Sequence, residues 1–418
     1  MKSKLVRRVS WPVLSLVALW CGFQAIGVPS GGMTRTPSVF AQSRRQPPTS
    51  PQKRNPRPAD GEQQPGTDPK EAPPPADIVK EEAEAVRVTT ALVNVETVVY
   101  HKKSGQIATG LKKENFAVFE DGVQQEITNF STPDAPITVT MILEYSRLSS
   151  YLGSANGFEP GRYEVLRPMA AYLQQFIKPP DDFVSVVAYD MRPTPLTDFT
   201  NDPARINQVI NLLFRNRPAS SEANLFDALK LVLIGGKADS VVLEDNEQRT
   251  SEYAGMASLQ GRRKAVFLIS SGVDTFSKIN YDQARKIAQN AGVPIYIVGT
   301  GELFMKRYGD QIGATDGLLG ATTPGRMTLL QAKNTLGTFA KETGGRYFPV
   351  TFEGEIPSVL QSINALMRNQ YSIGYRPVER RDGKQHKILV KVDVNGDGQY
   401  DDKEYIVQNR QFYNAPKG

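Results

Sequence analysis

The acidic stretch 393–404, DVNGDGQYDDKE, is the segment of the chain with the clearest spacing of candidate metal ligands. Its oxygen-bearing side chains recur at alternate positions, and a glycine stands where a calcium loop turns sharply. Strand-like residues flank the stretch, so we predict the tip of a β hairpin that binds calcium in a structural role. A polar turn without an ion is the alternative, because Asn-Gly and Asp-Gly favour tight turns. The candidate ligands are Asp393, Asn395, Asp397, Gln399, Asp401 and Glu404.

The turn Ser270–Gly272, which follows a predicted strand, is a second place where chemistry could occur. A hydrolase nucleophile turn has the pattern G-x-S-x-G and works with a downstream histidine. The flanking residues here differ, and the two histidines, His101 and His386, are far apart in sequence. Neither a phosphate-binding loop nor a complete dinucleotide-binding glycine pattern is present. We therefore predict a protein that is not an enzyme and has no organic cofactor, with a hydrolase of unknown substrate as the alternative.

The N-terminal residues 1–41 begin with four basic side chains in the first eight positions, followed by an apolar run and a stretch of small residues that ends at Ala41. This order is typical of a signal peptide, and the apolar run is also about long enough to remain as a signal anchor. We predict an exported protein that is periplasmic, secreted or anchored to the outer face of the cytoplasmic membrane. The single cysteine, Cys21, lies in the apolar run, so cleavage would leave no thiol for disulfide or thiolate chemistry.

A polar, proline-rich stretch follows at 42–80, with ten prolines between residues 42 and 77. Such a composition cannot bury a core and predicts a disordered linker. Residues 1–80 carry 12 Lys and Arg against 5 Asp and Glu, whereas the rest of the chain is almost balanced. The basic excess thus lies in the leader and linker, and no nucleic-acid partner is predicted. Membrane contact is expected only through the N-terminal segment, if it stays uncleaved.

The remaining sequence alternates between β and α patterns. Residues 85–132 predict a small β subdomain, in which Asp121-Gly122 indicates a hairpin turn. From 133 to 378, apolar β-branched strands alternate with amphipathic helices, which predicts an α/β fold with a doubly wound, mostly parallel sheet. Residues 379–418 return to β structure, expected to pair with the first block or to extend the main sheet. Ligands of such sheets bind at the carboxyl ends of the strands.

Parts of this β structure resemble a known family. The pattern LxxxNFxVxEDGxxQxI at 111–127, YSIGY at 371–375 and the closing FY at 412–413 are similar to bacterial von Willebrand factor A (VWFA)-related domain proteins. The resemblance covers about residues 85–413. It implies a Rossmann-like α/β domain with small β additions at both ends, and a role in adhesion or protein binding.

The family has a metal-ion-dependent adhesion site for Mg²⁺ or Ca²⁺, formed by Asp-x-Ser-x-Ser after the first strand, a Thr before a helix and a later Asp. By this resemblance the positions fall on Glu144, Ser146, Leu148, Ala223 and Ser271. Only Ser146 is retained, and Mg²⁺ demands near-ideal octahedral geometry. We therefore predict a degenerate adhesion site without a working metal. The alternative is a metal-dependent adhesin that uses Glu144 and Ser146.

The loops at the carboxyl ends of the strands are the expected binding surface, and the expected partner is a protein or another extracellular macromolecule. Asp190 and Asp274 are candidate substitute carboxylates on this face. Segment 301–328 is expected to be a long loop after a strand, either a partner-binding lid or a mobile insertion, and long loops at such an edge are often functional. The loops predicted to bind the partner are 144–158, 190–199, 219–224, 271–280 and 301–328.

Overall fold

Parallel strands flanked by helices form the larger part of the fold, as the alternating sequence pattern predicts. The predicted leader, 1–41, and linker, 42–80, lie outside the described residues. All described residues belong to one unit, Ala83–Gly418. The computed structural model describes residues 92–146, 162–216, 218–237, 252–259, 262–316, 324–377, 382–415 and 417.

Sixteen strands and seven α-helices lie within these ranges. The strands are β1 Val93–His101, β2 Phe116–Glu120, β3 Val123–Gln125, β4 Ile127–Ser131, β5 Ile137–Glu144, β6 Phe183–Tyr189, β7 Pro193–Thr200, β8 Gly236–Lys237, β9 Glu252–Tyr253, β10 Arg263–Ser270, β11 Ile295–Gly299, β12 Tyr347–Pro349, β13 Tyr371–Tyr375, β14 Gln385–Val392, β15 Tyr405–Gln408 and β16 Phe412–Asn414. The helices are α1 Arg162–Phe176, α2 Pro203–Arg215, α3 Leu225–Ile234, α4 Tyr281–Ala291, α5 Gly301–Tyr308, α6 Arg326–Thr343 and α7 Ile356–Arg368.

The central sheet has six strands in the order β12-β11-β10-β5-β6-β7. Five of them are parallel, and β7 alone pairs antiparallel, at the edge beside β6. The predicted α/β fold with a mostly parallel sheet is confirmed. Because parallel strands end at the same edge, the residues that follow β5, β6 and β10 are brought close together there.

The strand β5 shows why helices cover both faces of this sheet. All eight of its residues are buried, and alternate side chains point to opposite faces. Met141 and Leu143 belong to a hydrophobic cluster with residues of α1, α2 and α7. Ile142 belongs to a second cluster with residues of α3, α4 and α6. Burying each such side chain stabilises the fold by roughly 1.5–3 kcal/mol.

The β segments before and after the α/β region pair with each other and do not extend the central sheet. Two four-stranded sheets form, in the orders β15-β1-β13-β4 and β16-β14-β2-β3. A third hydrophobic cluster contains residues of both sheets, including Val95, Val118, Ile373 and Val390. The predicted turn at Asp121-Gly122 joins β2 to β3, with positive φ at both residues. We refer to these two sheets as the β region.

The predicted β hairpin around 393–404 is wrong. Strand β14 pairs with β2 and β16, whereas β15 pairs with β1 in the other sheet. The loop therefore crosses between two sheets and is not the tip of a hairpin. The alternation of apolar and polar residues identifies β14 and β15 as strands, but it does not identify the strands with which they pair. Both pair with strands that are distant in sequence.

Two of the predicted partner-binding loops contain regular structure, and most of a third, residues 147–158 with Leu148, lies outside the described residues. Segment 190–199 is mostly the edge strand β7, whose Pro193 and Pro195 are tolerated because an edge strand needs fewer ladder donors. Segment 301–328 begins with helix α5, and its residues 317–323 lie outside the described ones. Among the described residues, no helix combines the length and apolar character that a membrane crossing requires.

Candidate functional site

The position where the resemblance places the first metal-binding carboxylate is occupied by Glu144, the last residue of β5. Its neighbour across the β5–β6 ladder is Tyr189, the last residue of β6. On the other side of β5, Leu143 pairs with Ile269 of β10, so Ser270, the last residue of β10, is level with Glu144. The carboxyl ends of three parallel strands thus hold an acid, a phenol and a hydroxyl side by side.

Both oxygens of the Glu144 carboxylate accept hydrogen bonds from the protein. Ser146 Oγ donates to Oε1 at 2.9 Å, and the backbone N–H of Ser271 donates to Oε2 at 2.6 Å. Ser270 Oγ lies 3.3 Å from Oε2. Glu144 is 4% exposed, so these groups replace water as its hydrogen-bond partners. The structure therefore brings together Glu144, Ser146 and Ser271, three of the residues that the sequence identified.

Burial raises the pKa of the Glu144 carboxyl, and the hydrogen bonds from Ser271, Ser146 and Ser270 oppose that rise. Desolvation disfavours the charged form, whereas donors to the carboxylate favour it. Each carboxylate oxygen thus already accepts a hydrogen bond, and a bound Mg²⁺ would need several more oxygen ligands at about 2.0–2.1 Å. The carboxylate is thus arranged as a hydrogen-bonded link between strand ends.

Sequence reasoning missed Tyr189 and Ser270 as members of this cluster. The Tyr189 hydroxyl and Ser270 Oγ are 2.7 Å apart, and Ser270 Oγ also accepts the N–H of Gly272 at 2.8 Å. Both residues are buried. The signal that could have identified them is their position as the last residue of a predicted strand, because the ends of neighbouring parallel strands meet.

The serines after β10 do not meet a histidine in the structure. Ser271 Oγ accepts the N–H of Val273 at 3.3 Å. His386 lies in the β region, where its ring nitrogens contact Asp121 and Asp382. A serine nucleophile needs a base within hydrogen-bond reach. Among the described residues, the contacts of Ser270 and Ser271 include the Glu144 carboxylate but no histidine.

Ala223, which stands at the family's Thr position, is held by backbone hydrogen bonds. Its N–H donates to Thr275 Oγ1 at 2.9 Å, and its carbonyl accepts the N–H of Thr275 at 2.8 Å. Its methyl group is buried and offers no metal ligand. These hydrogen bonds tie the loop before α3 to the loop after β10.

The two candidate substitute carboxylates are also engaged with the protein. Asp274 Oδ1 accepts the N–H of Phe226 at 3.2 Å in the first turn of α3, and Ser277 Oγ donates to the same oxygen. A carboxylate at this place satisfies a free helix donor and complements the helix dipole. Asp190 accepts the N–H of Arg192 at 3.4 Å within the turn before β7. Burial raises the pKa of both carboxyls.

Two large apolar side chains project from the same edge of the sheet. Met191 is 38% exposed in the turn between β6 and β7, and Phe276 is 54% exposed in the loop after β10. Asn224 Nδ2 donates to the Met191 carbonyl at 3.1 Å, and the Phe276 N–H donates to the Ala223 carbonyl at 3.2 Å. Hydrogen bonds thus hold both segments against the start of α3. We call Met191 and Phe276 with these segments the loop face.

A cavity of about 260 Å³ lies beside the loop face, between the end of β6, the turn before β7 and the end of α2. Tyr145 lines it, and the Tyr145 hydroxyl donates to the Leu213 carbonyl at 3.0 Å. Met191 and Arg192 line its other side. The cavity is large enough for one side chain of a partner.

The acidic loop 393–404 is ordered by its own carboxylates. Asp393 Oδ1 accepts the N–H of Gly396 at 2.7 Å, and Oδ2 accepts that of Gly398 at 2.8 Å. Asp401 Oδ2 accepts the N–H of Val394 at 2.7 Å. Both glycines have positive φ, which glycine adopts without strain.

The structure places Asn395 and Asp397 in the same turn as Asp393. The N–H of Asp397 lies 3.2 Å from Asp393 Oδ1, and Asp397 Oδ1 accepts the N–H of Gln399 at 2.8 Å. Glu404, the predicted last ligand, is exposed in the turn immediately before β15. Calcium binding by this loop stays a prediction.

No family model and no curated protein matches the sequence. Solved structures with similar folds include the von Willebrand factor domain of the type V pilus tip protein Mfa5 from Porphyromonas gingivalis, with 15% identity and a TM-score of 0.36 over 56% of this chain and 95% of that one. The PilB minor pilin from Streptococcus sanguinis has 11% identity and a TM-score of 0.39 over 56% and 62% of the two chains.

A third similar structure is proximal thread matrix protein 1 from the mussel byssus, in a form with a zinc-occupied metal-ion-dependent adhesion site. Its identity is 12% and its TM-score 0.37, over 60% of this chain and 50% of that one. The chain therefore spans about half the length of the mussel protein and less than two thirds of the pilin. No family and no function is taken from these likenesses.

Proposed function

We propose that this chain is an exported, non-enzymatic protein-interaction module with a doubly wound α/β domain, and that its loop face binds a protein partner without a metal ion. The observation that carries the proposal is the buried Glu144 carboxylate, whose two oxygens accept hydrogen bonds from Ser146 and Ser271. Because both oxygens already accept hydrogen bonds from the protein, we expect this carboxylate to bind a divalent cation weakly.

The loop face has the features of a protein-binding surface rather than of a catalytic pocket. It presents Met191 and Phe276, and methionine and aromatic residues are enriched in protein interfaces. The adjacent cavity can accept one anchoring side chain. Hydrogen bonds hold these loops in place, so a partner would lose little free energy in ordering them.

The first test is a calorimetric titration of the full chain with Mg²⁺ and Ca²⁺, carried out on Asp397→Ala so that the acidic loop cannot contribute. We expect no binding of either ion and no change on adding Glu144→Ala. Binding of Mg²⁺ that disappears with Glu144→Ala would contradict the proposal and favour the metal-dependent adhesin that uses Glu144 and Ser146.

The second test concerns the loop face itself. Partners captured from the source organism's cell envelope should bind equally well with and without chelator. They should be lost with Phe276→Ala but retained with Leu389→Ala, which truncates an exposed apolar side chain in the β region. Equal capture by both variants would show that the partner binds elsewhere on the chain.

The acidic loop 393–404 is proposed as a structural calcium site that supports the β region. The backbone N–H of Asp393 donates to the Asn115 carbonyl, and the N–H of Lys102 donates to the Glu404 carbonyl. The loop is therefore joined to both sheets of the β region at its two ends. An ion that reduced repulsion among its carboxylates would stabilise this connection.

A further inference from the structure

We propose that Glu120, Asp121 and His386 form a binding site for a divalent transition metal of the Zn²⁺ class in the β region, on other strands than those whose ends carry Glu144, Tyr189 and Ser270. One ligand atom from each of these residues lies within 4.8 Å of the other two. One imidazole nitrogen and two carboxylate oxygens are a ligand set that Zn²⁺ accepts.

The three side chains are placed by paired strands rather than by a mobile loop. Glu120 is the last residue of β2 and pairs with Ile388 of β14, two residues after His386. Asp121 begins the β2–β3 turn, and its N–H donates to the Lys387 carbonyl at 2.9 Å. Two strands and a tight turn therefore fix the relative positions of the ligands, as a preorganised metal site requires.

The Glu120 carboxyl is the observation that points to a missing ligand. Glu120 is 2% exposed, and Tyr413 donates to its Oε1 at 3.2 Å. Its Oε2 is buried and has no partner with hydrogen-bond geometry among the described residues, although the buried Tyr375 hydroxyl, which also has none, interacts with the same carboxyl. A buried carboxylate oxygen without a partner is costly, and a bound cation would remove that cost.

The surroundings of His386 match those of a metal-binding histidine. Its Nδ1 faces Asp121 Oδ2 at 2.8 Å, and its Nε2 faces Asp382 Oδ1 at 3.2 Å. Histidines that bind metals through one ring nitrogen usually donate the other N–H to a carboxylate, which fixes the tautomer. Here Asp382 would accept from Nε2, and Nδ1 would bind the metal together with Asp121 and Glu120.

His386 is buried, and an ion can reach the site from the side of Asp121. The His386 side chain is 4% exposed and lies on the same face of β14 as the buried Ile388 and Val390. The Asp121 side chain is 37% exposed, so the site opens to solvent on that side. The competing state is a protonated imidazole held between Asp121 and Asp382, in which a proton takes the place of the metal.

The test is a calorimetric titration of the full chain with Zn²⁺ at neutral pH, with X-ray absorption at the zinc edge to identify the ligands. We expect one Zn²⁺ per chain with nitrogen and oxygen ligands, lost in both His386→Gln and Asp121→Asn. Asp121 is exposed enough for its variant to fold, so one informative variant remains if the buried His386 change unfolds the chain. Asp382→Asn should weaken binding by about 10–100-fold, because Asp382 only orients the ring.

Two control variants separate this site from other potential ligands. His101→Gln removes the other histidine, and Asp397→Ala disrupts the acidic loop; both should keep the full zinc affinity. The proposal is overturned if the unmodified chain takes up no Zn²⁺, or if His386→Gln and Asp121→Asn bind it as tightly as the unmodified chain. The first result would leave the protonated imidazole as the occupant of the site.

Discussion

The Glu144 carboxylate accepts the backbone N–H of Ser271 at 2.6 Å, which joins the end of β5 to the loop after β10. In a metal-dependent adhesion site these two positions would be connected through an ion. Here the longer glutamate side chain reaches the loop directly and connects the two positions by a hydrogen bond.

Glu144→Ala should lower the free energy of unfolding by about 2–4 kcal/mol, because each buried donor left without a partner costs about 1–3 kcal/mol. Glu144→Gln should lower it by less than about 1.5 kcal/mol, since the amide can accept from Ser271 and donate to Ser146. Urea unfolding of both variants checks this, with exposed Glu114→Ala as the neutral control. Equal losses for the Ala and Gln variants would argue against a hydrogen-bonding role.

Gly272→Ala should destabilise the fold strongly. Gly272 has φ +81°, and an added Cβ would lie 2.8 Å from the Ala332 carbonyl oxygen and from Leu336. Positive φ costs a non-glycine residue about 1–2 kcal/mol, and overpacking adds about 1–3 kcal/mol. The control is Gly105→Ala, because Gly105 also has positive φ but no atom lies within 4 Å of its Cβ position. Thermal unfolding that shifts equally in both variants would mean that the packing around Gly272 can relax.

The buried Glu96 predicts a pH dependence of stability. Burial raises its pKa from 4.5 to about 7, while the Ser372 hydrogen bond and the charges of Arg263, Lys264 and Arg410 oppose the rise. The folded state therefore keeps a proton that the unfolded state releases near pH 4.5. The stabilisation is present in full below that pH and is lost as the pH rises to about 7.

The loss amounts to about 3 kcal/mol at most, given about 1.4 kcal/mol for each pH unit between the two pKa values. Denaturant unfolding at several pH values between 4 and 8 measures it. Glu96→Gln, which mimics the protonated form, should remove this part of the dependence. An identical pH profile for the variant and the unmodified chain would show that Glu96 does not titrate in this range.

Calcium should bind the acidic loop with a dissociation constant of about 10⁻⁴–10⁻³ M, the range of extracellular calcium modules. Asp397→Ala should abolish the heat of binding and the accompanying rise in thermal stability. Asp402→Ala is the matched control, because Asp402 lies in the loop but outside the predicted ligand set and pairs with Lys391. Retained binding in Asp397→Ala would place the calcium elsewhere.

Much of the α/β region could be predicted because its signals are local. The apolar run Phe183–Tyr189 forms a strand, and Asp202-Pro203 and Gly292 mark helix ends through capping contacts and backbone conformation. Edge strand β7 and helix α5 were not recognised. Prolines and polar residues obscure the strand, and the helix follows a Gly-Thr-Gly sequence that is typical of a turn.

The sequence alone determined the chemical types at the adhesion-site position, because the substitutions at Glu144, Ala223 and Ser271 can be read directly from it. Only the tertiary structure decided what these residues do, since the Glu144–Ser271 hydrogen bond joins residues 127 positions apart. The same holds for His386 and Asp121, which are 265 residues apart and meet through the pairing of β14 with β2. Side-chain periodicity is local, but strand pairing is chosen by the packing of the whole chain, so contacts of this kind follow from the fold.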